Sequence, residues 1–203
     1  MLGPLQNTIQ SVIRFTWPMI VISIIVVVSL RLTYLIKNKE KIVFYKEIMM
    51  LIFIIYILCL FQVVTFQDDT FWASNNFIPL KEIMRYNITS RLFIKNVLGN
   101  MIMFVPFGFF VSYYLKVDKI KLPIIMILIT SLSIEIVQMS IERVFDVDDI
   151  LLNVLGGIIG YYIFIFLKLI SESLPSFFKK EWVLNVASII LLIILITSLA
   201  FLY

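Results

Sequence analysis

Six runs of about twenty mainly apolar residues dominate this chain, and that length is what an α-helix needs to cross a bilayer at about 1.5 Å per residue. They lie near Trp17 to Ile36, Ile48 to Phe66, Val97 to Leu115, Leu122 to Ile141, Ile150 to Leu167, and Trp182 to Phe201. A backbone in lipid must satisfy its own hydrogen bonds, so the runs predict an all-α, polytopic helical bundle. Composition agrees: 62% of residues are hydrophobic and 15% charged, against roughly 45–50% and 25% in soluble domains. Only one connection, Gln67 to Asn96, is long enough to hold extra structure. A single membrane domain over 1–203 is therefore expected, with no room for a soluble catalytic domain. The first span is too long for a signal-peptide core and no small-residue cleavage site follows it, so it is expected to stay in the mature protein.

Orientation follows from the basic residues. The odd connections carry Lys37, Lys39, Lys41 and Lys46, then Lys116, Lys119 and Lys121, then Lys168, Lys179 and Lys180. The even connections and tails carry Arg14, Lys81, Arg85, Arg91, Lys95 and Arg143. The positive-inside rule then places both termini and the connections 67–96 and 142–149 outside the cytoplasm. Arg31, near the inner end of the first span, is expected to snorkel toward the first connection. The net charge of +4 comes from helix-end anchors rather than one basic patch, so no nucleic-acid partner is implied. Membrane lipids are the expected surroundings.

Against this apolar background the stretch SLSIEIVQMSIERVFDVDDILLNVLGGIIG, from Ser131 to Gly160, packs carboxylates, amides and an arginine between two spans. Glu135 lies about 10 Å and Gln138 about 6 Å inside the outer end of their span. Their i, i+3 spacing puts both on one helix face. Asp149 and Asn153 share a face of the next span at i, i+4, and Asn96 and Asn100 repeat that spacing on the preceding one. A lone carboxylate at such depth costs on the order of a few kcal/mol unless paired, hydrated or protonated. A shallow polar pocket in the outer half of the bundle is therefore expected, walled by Asn96, Asn100, Glu135, Gln138, Arg143, Asp146, Asp148, Asp149 and Asn153. Gly156 and Gly160 allow a neighbouring helix to approach closely below it, and Pro106 with Gly108 predicts a kink or local opening.

Structural accounts exist for several of these residues. Asp148 and Asp149 suit the N-terminus of their own helix as caps, and Asn100 and Asn153 suit interhelical hydrogen bonding. Arg143 can anchor at the interface or pair with Glu135, Glu142 or Asp146. Asp146, Asp148 and Asp149 form an oxygen cluster, but three aspartates within four residues are also common in caps and turns, so no metal and no cofactor is assigned.

Four blocks in order resemble a known family: NFIPLKEI from Asn76, NVLGNMIMFVPFGFF from Asn96, SIEIVQ from Ser133 and RVFDVDDILLNVLGGIIGY from Arg143. They are similar to the VanZ-like family over a core of about 48–166, leaving 17–36 and 182–201 as peripheral helices. The resemblance implies a bacterial plasma-membrane protein whose namesake lowers susceptibility to the glycopeptide teicoplanin. Its typical polar positions fall on Asn96, Asn100, Glu135, Gln138, Arg143, Asp148, Asp149 and Asn153. In the outer loop they fall on Asn76 and Pro79, while Leu80 stands where phenylalanine is common.

The chemistry open to such a pocket is narrow. The chain contains no histidine, which removes His-dependent triads, phosphohistidine routes and histidine-ligated metalloproteases. Neither a Gly-rich phosphate loop nor a Gly-x-Ser-x-Gly elbow is present. Three functions remain open. One is a surface protection factor binding a lipid-linked cell-wall intermediate or the lipoglycopeptide itself. The second is an enzyme acting on a lipid-linked headgroup, with Glu135, taken out of water, and Asp149, at an exposed helix start, dividing acid and base roles and Arg143 holding an anion. The third is a proton-coupled transporter or flippase turning on Glu135.

Overall fold

The computed structural model describes residues 3–66, 75–87 and 89–201; the first part of the long second connection, 67–74, lies outside them. The chain is an all-α helical bundle, 81% helical and without strands among the described residues. Its helices are α1 (Gly3–Asn38), α2 (Phe44–Phe66), the short α3 (Lys81–Arg85), α4 (Gly99–Leu115), α5 (Lys121–Ser140), α6 (Val147–Ser173) and α7 (Glu181–Phe201). A π-helical turn, Phe93–Leu98, leads into α4.

Five spans among the described residues are long and apolar enough to cross a membrane. The sixth expected span is present as α7, of which Glu181–Ile194 forms an apolar stretch shorter than that criterion. Outward-facing positions such as Ile22, Ile36, Ile129 and Phe166 stay more than half exposed, as suits helices solvated by lipid rather than water.

By internal contacts the chain divides into two compact units, Met1–Thr16 with Cys59–Lys168, and Trp17–Leu58 with Leu169–Tyr203. Within the second unit, Arg31 does more than snorkel. Its guanidinium makes a two-pronged ion pair with Glu47, both contacts at 3.0 Å, the geometry that gives arginine–carboxylate pairs their specificity. Asn185 of α7 accepts the Tyr45 N–H at the start of α2, at 3.1 Å.

In the first unit, glycines set the spacing of three helices. A Cβ on Gly156 would lie 1.9 Å from the Met101 carbonyl oxygen, and one on Gly160 2.0 Å from that of Val105. The backbones of α6 and α4 are therefore in direct contact. A Cβ on Gly157 would meet Ile127 of α5 at 2.4 Å. Pro106 sits inside an unbroken α4, and the departure from α-helical geometry falls instead on the π turn that precedes it.

Candidate functional site

Local chain geometry explains how polar side chains reach one place. Helix α5 ends in a Schellman turn: Glu142 takes the left-handed conformation at φ 63°, and the Arg143 N–H returns to the Gln138 carbonyl at 3.0 Å. Glycine usually fills that left-handed position. The turn folds Arg143 back against the helix end, where its guanidinium donates to the Val64 carbonyl of α2.

Helix α6 starts four residues after Arg143, capped by Asp146, whose Oδ1 accepts the Asp148 N–H at 2.9 Å. The same carboxylate accepts from the Asn76 side chain at 2.8 Å. Backbone bonds join Asn76 to Phe145 and Val147 at 2.8 and 3.0 Å, forming one isolated parallel bridge. Phe77 stacks on Phe145 with ring centres 5.2 Å apart. This strap ties the second and fourth connections together, so both lie at the same end of the unit. Leu80 is not part of it; the aromatic contact between the connections is made by Phe77.

Asp148 does not cap its own helix. It is 1% exposed, and its carboxylate accepts the N–H groups of Leu80, Glu82 and Ile83. It therefore satisfies the free amides at the start of α3, which has no capping side chain of its own.

The deeper groups bond to one another. Glu135, 1% exposed, accepts the Asp146 N–H at 2.9 Å. Oriented so that both ends of its amide are satisfied, Gln138 donates to Glu135 at 3.0 Å and accepts from Arg143 at 3.2 Å. Asn100 donates to Asp149, and Asn96 to the Tyr86 hydroxyl at 2.9 Å. Asp149 is thus half-buried and bonded to α4, where an exposed helix start was expected. Asn153, 3% exposed, donates to Ser131 at 2.9 Å, but its Oδ1 accepts nothing.

Between these groups lies a partly open cavity of about 520 Å³. Asn96, Asn100, Glu135, Gln138 and Arg143 line it, as do Asp146, Asp148, Asp149 and Asn153. Of the two outer-loop residues, Asn76 is buried in the strap and Pro79 is exposed in the turn before α3; neither lines the cavity. Four further charged or polar lining residues, Glu82, Arg85, Tyr86 and Lys95, come from the second connection. The KEIMRY segment carried a signal that sequence reasoning passed over: Glu82 and Arg85 stand i, i+3, the spacing of a helical ion pair, and they form one at 3.2 Å.

Burial pushes the Asp146 carboxyl above its usual range, with the Asp148 N–H and the Asn76 amide pulling the other way. Among the described residues no group of three or more carboxylate or thiol side chains is placed to hold a metal ion. Each aspartate of the DVDD run points to a different partner.

A family model for VanZ/LLP1 matches residues 53–170, which is more than half the chain and includes the whole cavity wall. The chain belongs to the VanZ/LLP1 family. No curated protein and no solved structure matches it. As a VanZ/LLP1 protein with five spans of membrane-crossing length among its described residues, it is a multi-pass membrane protein.

Proposed function

We propose that this VanZ/LLP1 protein acts at the outer face of a bacterial plasma membrane and lowers susceptibility to lipoglycopeptides such as teicoplanin. In this reading the cavity holds a lipid-anchored ligand and so reduces productive drug binding. One observation carries the reading: polar groups from α3, the π turn, α4, α5 and the start of α6 converge on a single cavity. Its exposed lining residues, Arg85 and Leu92, belong to the connection that the distribution of lysines and arginines assigns to the outside. Helices packed only for stability in lipid have little use for carboxylates withdrawn into such a space.

The test is expression in a susceptible host. The unaltered chain should raise the minimal inhibitory concentration of teicoplanin several-fold, and Arg143→Ala and Asp149→Asn should each remove most of the increase. If Glu135→Gln, Arg143→Ala and Asp149→Asn all protect as well as the parent, the cavity is not the site of action. Reporter fusions at Glu142 should report an extracytoplasmic position, and a cytoplasmic one would sink the surface placement.

A second reading, an enzyme modifying a lipid-linked headgroup, is favoured by the presence of Glu135 and Asp149 on the same cavity wall. Two carboxylates facing one bound substrate can divide acid and base work. It demands that Glu135→Gln abolish function and that mass spectrometry find a lipid or cell-wall species that depends on the active chain. Unchanged fractions would count against catalysis.

A further inference from the structure

The second connection carries its apolar residues on the outside. Phe77, Ile78, Met84 and Leu92 are each more than half exposed, and Leu80 is exposed as well, while Glu82 and Tyr86 are withdrawn to the cavity wall. A loop standing in water has the opposite arrangement, and a cluster of exposed apolar side chains marks a face that meets protein or membrane.

The level of this face along the bundle favours membrane. Helix α5 has 20 residues, a length of about 30 Å, which only just crosses the hydrocarbon layer. Glu135 stands five residues before its last one, Ser140, a distance of about 7.5 Å. The Asp146 N–H lies 2.9 Å from the Glu135 carboxylate, so even a glutamate stretched toward the helix end holds Asp146 no higher than the end of α5. Asn76 is bridged to the same stretch through Phe145 and Val147. Phe77 and Ile78 therefore leave the strap at the edge of the hydrocarbon rather than above it. Asp148, the second residue of α6, keeps the start of α3 at that level by accepting the N–H groups of Leu80, Glu82 and Ile83. Charge agrees with this placement: from Asn76 to Asn96 the sequence has four bases, Lys81, Arg85, Arg91 and Lys95, and one acid, Glu82. Bases among large apolar side chains are the composition of segments that lie in a lipid interface.

We propose that the exposed face of the second connection docks into the lipid surface, with Phe77, Ile78, Met84 and Leu92 against the acyl chains and the neighbouring bases among the phosphates. The exposed residues of the cavity wall, Arg85 and Leu92, belong to this connection, so the cavity opens at the level of the headgroups. A lipid-anchored ligand then enters sideways without leaving the bilayer. That consequence rests on the reading of the cavity as a ligand site, whereas the docking itself rests on the fold.

The experiment uses the full chain in vesicles of phosphatidylcholine and phosphatidylglycerol, read by spin labels. Cys59, the single cysteine, is replaced by serine, and one nitroxide at a time is attached through Phe77→Cys, Ile78→Cys or Met84→Cys. Ile129→Cys, more than half exposed in the middle of α5, supplies the lipid standard. Lys119→Cys, exposed in the connection before α5, supplies the water standard. Relaxation by oxygen, which concentrates among acyl chains, is compared with relaxation by a water-soluble nickel chelate. All three test labels should be relaxed more by oxygen than by nickel, as at Ile129, the reverse of the order at Lys119. More relaxation by nickel than by oxygen at these positions means a loop in water and overturns the proposal. Shielding from both reagents means that protein, such as a second copy of the chain, covers the face, and overturns it equally. Each label is read alone, so a variant that does not fold leaves the decision to the other two. Protection that depends on Arg143 together with labels in water overturns the lipid docking alone. Labels in lipid without any protection by the parent overturn the resistance reading alone.

Discussion

The two ends of the 59–168 unit are built on the same helices, yet they treat charge in opposite ways. At one end Lys168 pairs with Asp118, their side chains 39% and 75% exposed, and the Tyr161 hydroxyl donates to the Asp118 carbonyl at 2.8 Å. At the other end Glu135 and Asp148 are each 1% exposed, and every aspartate of the DVDD run is bonded to a protein group. An exposed pair of this kind contributes at most about 1 kcal/mol. A withdrawn carboxylate, by contrast, must be supplied with donors by the fold, and here the donors come from segments up to seventy residues away in sequence. The glycine contacts lie between these two ends, below Asn153 along α6. Substitutions should therefore matter in a steep order from the glycine layer, through the buried carboxylates, to the exposed pair.

The largest effect belongs to the glycine layer. Gly156→Val and Gly160→Val should each remove most folded protein, because even the first added carbon falls about 2 Å from a backbone oxygen, and overpacking a tight contact costs about 1–3 kcal/mol or more. The yield of monodisperse protein after detergent extraction measures this. Normal yield from both would mean that α4 and α6 can separate, and the contrast between a rigid middle and a hollow end would fall.

Next comes Asp148→Ala. It deprives three amides at the start of α3 of their acceptor, at a cost of about 1–3 kcal/mol reduced by whatever water replaces it. Hydrogen exchange should accelerate over 80–85, with α4 to α6 unchanged. Asp148→Asn keeps an acceptor and should show a smaller increase. Uniform acceleration throughout the unit would make Asp148 a global rather than a local fastener.

The helical periodicity of the sequence explains why much of this end was legible and where legibility stopped. Glu135 with Gln138, and Asp149 with Asn153, are related by i, i+3 and i, i+4 spacing on regular helices, so their shared faces follow from arithmetic. Asn96 and Asn100 also reach the cavity, although a π turn separates them from a regular register. The strap from Asn76 to Asp146 joins residues far apart in the chain, and no local pattern announces it. Asp148 illustrates the limit best. An aspartate two residues into a helix reads as a cap for that helix, and only the approach of α3 gives its carboxylate a different set of amides. Tyr86 and Lys95 were missed for the same reason, since their positions depend on how the second connection folds back over the helix ends.

Asp146 separates the value of its hydrogen bonds from that of its charge. Asp146→Ala should cost about 1 kcal/mol, the usual loss for an N-cap, while Asp146→Asn keeps an acceptor for the Asp148 N–H and removes the buried charge. Since burial raises this carboxyl above its value in the unfolded chain, the folded state binds more protons in the interval between the two values. The contribution of Asp146 to stability is then most favourable below the unfolded value, near 3.8, and declines as pH rises through the folded one. In Asp146→Asn that decline should vanish, and its melting temperature should match or exceed the parent's at neutral pH. A steeper loss with rising pH in the variant would mean that the charge is held by donors rather than opposed by burial.

The smallest effect is expected from Lys168→Met, and its smallness is informative. Both partners of the Lys168–Asp118 pair keep contact with their surroundings, so the pair is screened and its loss should change stability by no more than about 0.5 kcal/mol. Protection against teicoplanin should stay at the parent level. The substitution also removes one positive charge from the side assigned to the cytoplasm, where nine of the ten basic residues of the odd connections remain, so orientation should not change. If Lys168→Met abolished protection while leaving the fold intact, the exposed end would be coupled to the cavity across the glycine layer. The two ends would then have to be treated as one device, and the local account of the cavity would be incomplete.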